Sequence, residues 1–496
     1  DGNAGNLKTR VMASGQVEVK KLTDWLRVTQ PLPVSGVIPY ELELNLAGAD
    51  SQLMVNSCLK GATIDLPAPF GLTAGTCRDT SFRMTLQGPE RRYWVNYGQL
   101  ANFTFAAPNG NFAGGRGELF LGGGEAVLPG VKGLRVRGVL SELNVGPWKD
   151  LVDKYAGQVS GSSAKQLLSS ADFKVGKLSA LGATLDQASV QLNRKPASWA
   201  LQLDSQQVKG GVGVPDAKGA PITVNLQYIR LPAADPKVVT DENAPDPLVT
   251  VDPTKIPALD ITINQLFLGP DLVGAWSMKI RPTARGIALN ALDMGLKGIL
   301  LQGSGGWEGV PGSSSSWYKG RISGKNLADA LKNWGFAPSV TSESFHLDVD
   351  GRWPGSPAWL ASKRFSGTLD ATLTKGEIVE VDASAQALKV FGLLNFNSIG
   401  RRLRLDFSDL FGKGLSYDQV KGVLVATNGV YVTREPIRMT GPSTNIELNG
   451  TLNLVGDQID AKLLVSLPVA TNLPIAALIV GAPAVGGALF LIDKLM

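Results

Sequence analysis

In 496 residues there is one histidine, His346. A Ser-His-Asp relay or a Cys-His pair depends on a histidine placed by the fold, and a HExxH zinc helix needs two. His346 stands in SFHLDVDG, a strand-like run where a structural role is expected. Cysteine is as scarce: Cys58 and Cys77 are the only two, too few to build a metal centre around that histidine. GxSxG, the phosphate-cradling glycine loop and a GxGxxG between strand and helix are all missing. No enzyme activity and no cofactor are therefore expected. Charge is thin as well, 18% of residues against roughly 25% in soluble domains. A net charge of +5 gives weak attraction to anionic lipid surfaces and does not suggest nucleic acid. The acidic spots at 348–350 and 406–409 lack the spacing of a calcium loop and read as solvated turns.

What the chain has in quantity is glycine, 58 residues, and period-two alternation. Glu41-Leu42-Glu43-Leu44-Asn45-Leu46 has the pattern of a strand with one apolar face. It returns at 83–86, 93–97, 102–105, 118–121, 133–143, 183–192 and 199–203, and again from 259 to 301, 344 to 381 and 422 to 467. Short helices are expected at WKDLVDKYA, near 147–155, and at NLADALKNWG, 326–335. Residues 210–215 read as a turn, 303–316 as a Gly/Ser hairpin loop, and 232–257 as a solvated Pro/Asp-rich loop. The expected organisation is β repeats over 1–146, a continuing β region over 147–380, a helix, loop and closing meander over 381–468, and an apolar tail over 469–496. Few helices cover this much sheet. Its apolar face must meet a second sheet, itself by curling, or an apolar ligand. Taken alone, the alternation favours a sandwich or barrel.

One stretch differs. From Asp382 the chain reads as an amphipathic helix with Ala385, Leu388, Phe391 and Asn395 on one stripe, Asp382 or Ser384 as cap and Arg401, Arg402 and Arg404 at its end. A turn-rich loop, 406–417, comes next. The run LNFNSIGRRLRLDFSDLFGKGLSYDQVKG within it resembles the signature of the YhdP family, in the AsmA-like superfamily of Gram-negative envelope proteins. NSCLKGATIDLPAPFG (56–71) and TGPSTNIELNGTLNLVGDQIDAKLLVSLP (440–468) are similar to the same family.

The resemblance implies a mainly β fold: an elongated, twisted antiparallel sheet curled into a U-shaped apolar groove. It implies a passive, periplasmic bridge that carries phospholipid between inner and outer membranes, with the outer membrane at the C-terminal end and an envelope protein as a further partner. The floor is expected at Leu201, Leu203, Ile261, Ile263, Leu347, Val349, Leu369, Leu373, Ile446, Leu448, Leu452 and Leu454, with Phe391 and Leu394 where the groove closes. Residues 473–492 carry no charge but are broken by Pro474, Pro483 and Gly486-Gly487. This tail is expected to cap the sheet or to touch a membrane through Leu473, Ile475, Leu478, Ile479, Leu489 and Phe490. In an oxidising periplasm Cys58 and Cys77 would close a hairpin by a disulfide; the alternative is two unpaired thiols. Asp1 opens inside a strand-like pattern without an initiator Met, as expected of a piece of a longer chain whose inner-membrane anchor lies elsewhere. The competing reading is a β-sandwich scaffold that docks an envelope partner.

Overall fold

A computed structural model of the chain describes residues 9–25, 32–108, 110–156, 167–180, 182–233, 244–334, 338–378, 415–442 and 444–466, without the side chains of 152–156. The expected helix from Asp382, the loop as far as 414 and the apolar tail lie outside these residues. So do Phe391, Leu394, Leu473, Ile475, Leu478, Ile479, Leu489 and Phe490. The chain divides into two compact units, residues 1–218 and 219–496.

The first unit runs from strand Thr9–Glu18 to strand Val208–Pro215, with helices Val19–Trp25 and Val145–Ala156. The second runs from strand Ile222–Leu231 to strand Gln458–Ser466, with helix Leu327–Asn333. Both units are dominated by sheet, as the alternation predicts. Neighbouring strands are mostly antiparallel, but the ladders are mixed. Arg116–Leu121 pairs parallel with Gly133–Asn144, which pairs parallel with Leu168–Ala180. Ile222–Leu231 pairs parallel with Leu259–Leu268. Parallel neighbours need a long return connection. These three pairs are bridged by 122–132, by 145–167 with its helix Val145–Ala156, and by 232–258.

Four local expectations change. Val19–Trp25 is helical within the region expected as β repeats. Residues 208–215 form a strand, not a turn. The Gly/Ser-rich stretch is two full strands, Ile299–Val310 and Ser313–Lys325. Two glycines here make room for aromatic side chains, while Gly312, at φ of 76°, turns the chain between the strands. A Cβ on Gly306 would meet the Trp317 indole at 2.3 Å, and one on Gly320 would meet the Tyr318 hydroxyl at 2.5 Å. The fourth is the Pro/Asp-rich loop, whose later half, 244–257, is tied down. The Asp246 carboxylate accepts from the Ser356 N–H at 2.7 Å and from its hydroxyl at 2.6 Å, and the Trp359 indole donates to the Ala244 carbonyl at 2.8 Å.

In the first unit the core lies at one end of the sheet. Phe70, Leu140, Val175, Leu178 and Ala188 are buried together, with Trp148 of the second helix packed against them. The Phe70 and Trp148 rings meet edge to face at 5.7 Å. The turn that carries Phe70 is pinned from below: Tyr97 Oη donates to the Phe70 carbonyl at 2.7 Å, and Arg78 donates to Tyr97 Oη at 2.6 Å.

Candidate functional site

Side chains alternate across a strand, so register decides which residues share a face. In the first unit one cross-strand row is apolar from end to end. Ala13 pairs with Leu42, Leu42 with Val55, Val55 with Phe82, Phe82 with Val95 and Val95 with Phe103. Phe103 pairs with Leu119, Leu119 with Val136, Val136 with Ala171, Ala171 with Leu192, Leu192 with Leu201 and Leu201 with Val212. Twelve strands contribute one apolar residue each. From Leu42 to Val212 all but Ala171 are half-buried. They are shielded by sheet neighbours yet still reached by solvent, unlike the residues of a closed core.

The second unit has the same arrangement. Leu226, Ile263, Trp276, Met294, Leu301, Ile322 and Leu347 succeed one another strand by strand. A neighbouring row runs Phe345, Leu373, Val420, Met439, Ile446, Val465. One residue along each strand from the first row, the opposite face is polar: Thr262, Ser277, Asp293, Gln302, Arg321, Asp348, Asp370. Arg321 bonds Asp348 at 2.7 Å and Lys319 bonds Asp350 at 2.8 Å. The Arg321 hydrogen bond and charge hold the Asp348 carboxyl below its usual range. Such exposed pairs contribute little stability; they keep this face in water.

The residues expected as a floor divide between these rows and buried clusters. Ile263 and Leu347 lie on one row, Leu373 and Ile446 on the next, and Leu448 pairs with Ile437 and Leu463. Leu347, Leu369 and Leu452 pack against a core that buries Val349 and Leu454 with Trp353, Phe365 and Tyr431. Ile261 and Ile263 join a second cluster with Leu266 and Val273. In the first unit Leu201 pairs with Leu192 and Leu203 with Val190. Sequence reasoning missed Phe82, Val95, Phe103, Trp276, Met294, Leu301 and Ile322. Most lie in short alternating runs, Phe82 and Ile322 outside them, and only pairing shows that the runs line up.

Helix Leu327–Asn333 lies against one part of the second unit's apolar face. Its N-cap, Asn326, accepts through its side chain from the Asp329 N–H. Between helix and sheet is a cavity of about 370 Å³ walled by Met294, Leu301, Ile322, Leu331, Trp334 and Phe345, among others. This falls within the range of roughly 300–1,000 Å³ found for small-ligand sites.

Cys58 and Cys77 are free thiols, the first half-buried and the second exposed. The Cys77 thiol donates to the Asp79 carboxylate at 3.9 Å; the interaction of the two thiols pushes that of Cys77 up to about 11 and lowers that of Cys58. Among the described residues no helix is long and apolar enough to cross a membrane.

These features define a β protein whose sheets carry a solvent-reachable apolar face backed by a charged one. The chain belongs to the YhdP family: that family's profile, described as "YhdP protein", matches residues 3–496. It is similar to the intermembrane phospholipid transporter YhdP of Escherichia coli (strain K12), with 24% identity over 282 residues, 56% of this chain and 22% of the relative. The aligned part is thus about a fifth of that relative's length. No solved structure matches the chain.

Proposed function

We propose that this chain is a non-enzymatic, periplasmic part of an intermembrane phospholipid carrier, and that its apolar rows are the floor on which acyl chains travel. The observation that carries this reading is the unbroken row from Ala13 to Val212, half-buried along nearly its whole length. An apolar residue on each of twelve successive strands, with no charge between, gives a methylene chain the same surface at each step. Each methylene removed from water gains about 0.8 kcal/mol, so a diacyl lipid would be held firmly, and a uniform lining would let it slide without a large barrier. Headgroups would stay in water. The likeness to an intermembrane phospholipid transporter supports the same reading.

Native mass spectrometry on the chain, purified without detergent from a Gram-negative periplasm, tests it. At least one phospholipid per chain is expected. A stable, monodisperse and lipid-free protein would mean that the apolar face is covered by protein, and would favour the scaffold reading.

A further inference from the structure

The cavity under helix Leu327–Asn333 is unlike the rest of the floor. Most row residues elsewhere are half-buried on the sheet, with Ile263 and Met439 buried, whereas here a helix closes over three consecutive members of the row, Met294, Leu301 and Ile322. An acyl chain there would touch protein on two sides. The cavity is therefore continuous with the floor and deeper than it.

Its rim is also chemically distinct. Trp334, the residue after the helix, forms an outer wall and is 37% exposed. The Lys297 ammonium stands over its ring, 5.7 Å from the centroid. Lys297 sits in a tight turn, with φ of 50°, between the wall residues Leu296 and Ile299. The same turn touches the helix: a Cβ on Gly298 would lie 3.7 Å from Ala330 Cα. A fixed turn thus holds a cation at the edge of an apolar cavity. That pairing fits a molecule with an apolar tail and an anionic head.

We propose that this cavity seats one acyl chain of a phospholipid, with Lys297 meeting its phosphate. The helix acts as a clamp that makes this point a resting place along an otherwise uniform floor. The inference rests on the lipid-floor reading and adds a place and an orientation to it. Lys297 supplies the charge complementarity. Attraction between ammonium and phosphate at such a rim is partly screened by salt, so the head would be held less firmly than the tail.

Three aromatic positions allow a test in the intact chain. Trp334 walls the cavity. Trp317 is equally exposed at 37%, but one residue from Tyr318 and hence on the opposite face of the same sheet. Phe103 lies on the floor of the first unit. Each is replaced singly by the photoreactive aromatic p-benzoylphenylalanine, and each variant is incubated with radiolabelled phosphatidylglycerol or, separately, radiolabelled oleate, then irradiated. The expected result is phosphatidylglycerol labelling at 334 and 103, with at least fivefold less at 317. Lys297→Glu should lower labelling at 334 at least threefold and leave 103 unchanged. Labelling at 103 without 334 would overturn the seat and leave the floor standing. Labelling at 334 by oleate alone would overturn the phospholipid assignment. Equal labelling at all three positions would overturn the seat, and labelling at none would overturn the floor reading with it.

Discussion

Among the described residues of the first unit Glu118 is the most deeply buried charge, at 0% exposure. It accepts from Arg135 at 2.6 Å, from Arg137 at 3.0 Å and from the Val127 N–H at 3.1 Å. Burial alone would raise its pKa. The backbone bond and the two arginines outweigh burial, and the carboxyl sits below its usual range. A depressed carboxyl stabilises the fold above the unfolded pKa, roughly 4.3, and that stability is lost as pH falls through the folded value. The first unit should therefore lose stability below about pH 4, and Glu118→Gln should flatten that loss. Urea midpoints measured between pH 7 and pH 3 check this; an unchanged acid slope in the variant would contradict it. At this scale the sequence was only half legible. Arg135 and Arg137 alternate with Leu134 and Val136, so they read as one polar face. Nothing in the sequence links them to a glutamate 17 and 19 positions upstream. That link exists only because the two strands run parallel.

At the scale of elements, alternation found the strands but misjudged the glycines. The Gly/Ser run from Gly303 to Ser316 looks like loop because it has few side chains of its own. Its surface is supplied by rings from the same and neighbouring strands. Tyr318 is a case just beyond that run: its hydroxyl lies against Gly320 and donates to the Gln302 carbonyl at 2.8 Å. Burial, with the Asp348 charge added, pushes that hydroxyl up to about 12. Gly320→Val should fail for two reasons. The new Cβ would lie 2.1 Å from the Gln302 carbonyl oxygen, and at 2.5 Å it would displace the Tyr318 hydroxyl. A loss of about 2–3 kcal/mol is expected, the upper part of the range for overpacking. Chemical denaturation followed by far-UV circular dichroism measures it, and a loss under about 0.5 kcal/mol, the size of an ordinary surface change, would contradict the side-chain-over-glycine account. The parallel pairs were not legible: the expectation was an antiparallel sheet. Long connections at 122–132, 145–167 and 232–258 are the length a parallel return requires, but connection length alone does not say which strands meet.

At the scale of the whole chain, the apolar rows were legible as a principle and not as a list. Ile263, Leu347, Leu373 and Ile446 were recoverable because strict alternation fixes their side of the strand. The bulges between Ile263 and Leu266, and between Leu289 and Leu292, shift parity within a strand. No count along the sequence follows a face through them. The account stands or falls on whether the rows face lipid or protein. The direct measurement is lipid content and folding, taken together, on Leu201→Asp and Leu373→Asp, one half-buried row residue in each unit. If the rows are an open floor, a charge there remains in contact with water. Both variants should then keep their circular dichroism and melt within about 5 °C of the parent, while native mass spectrometry shows phospholipid per chain reduced at least threefold. If either variant unfolds, that row is a protein core; if both fold and keep their full lipid, the rows are not where lipid binds.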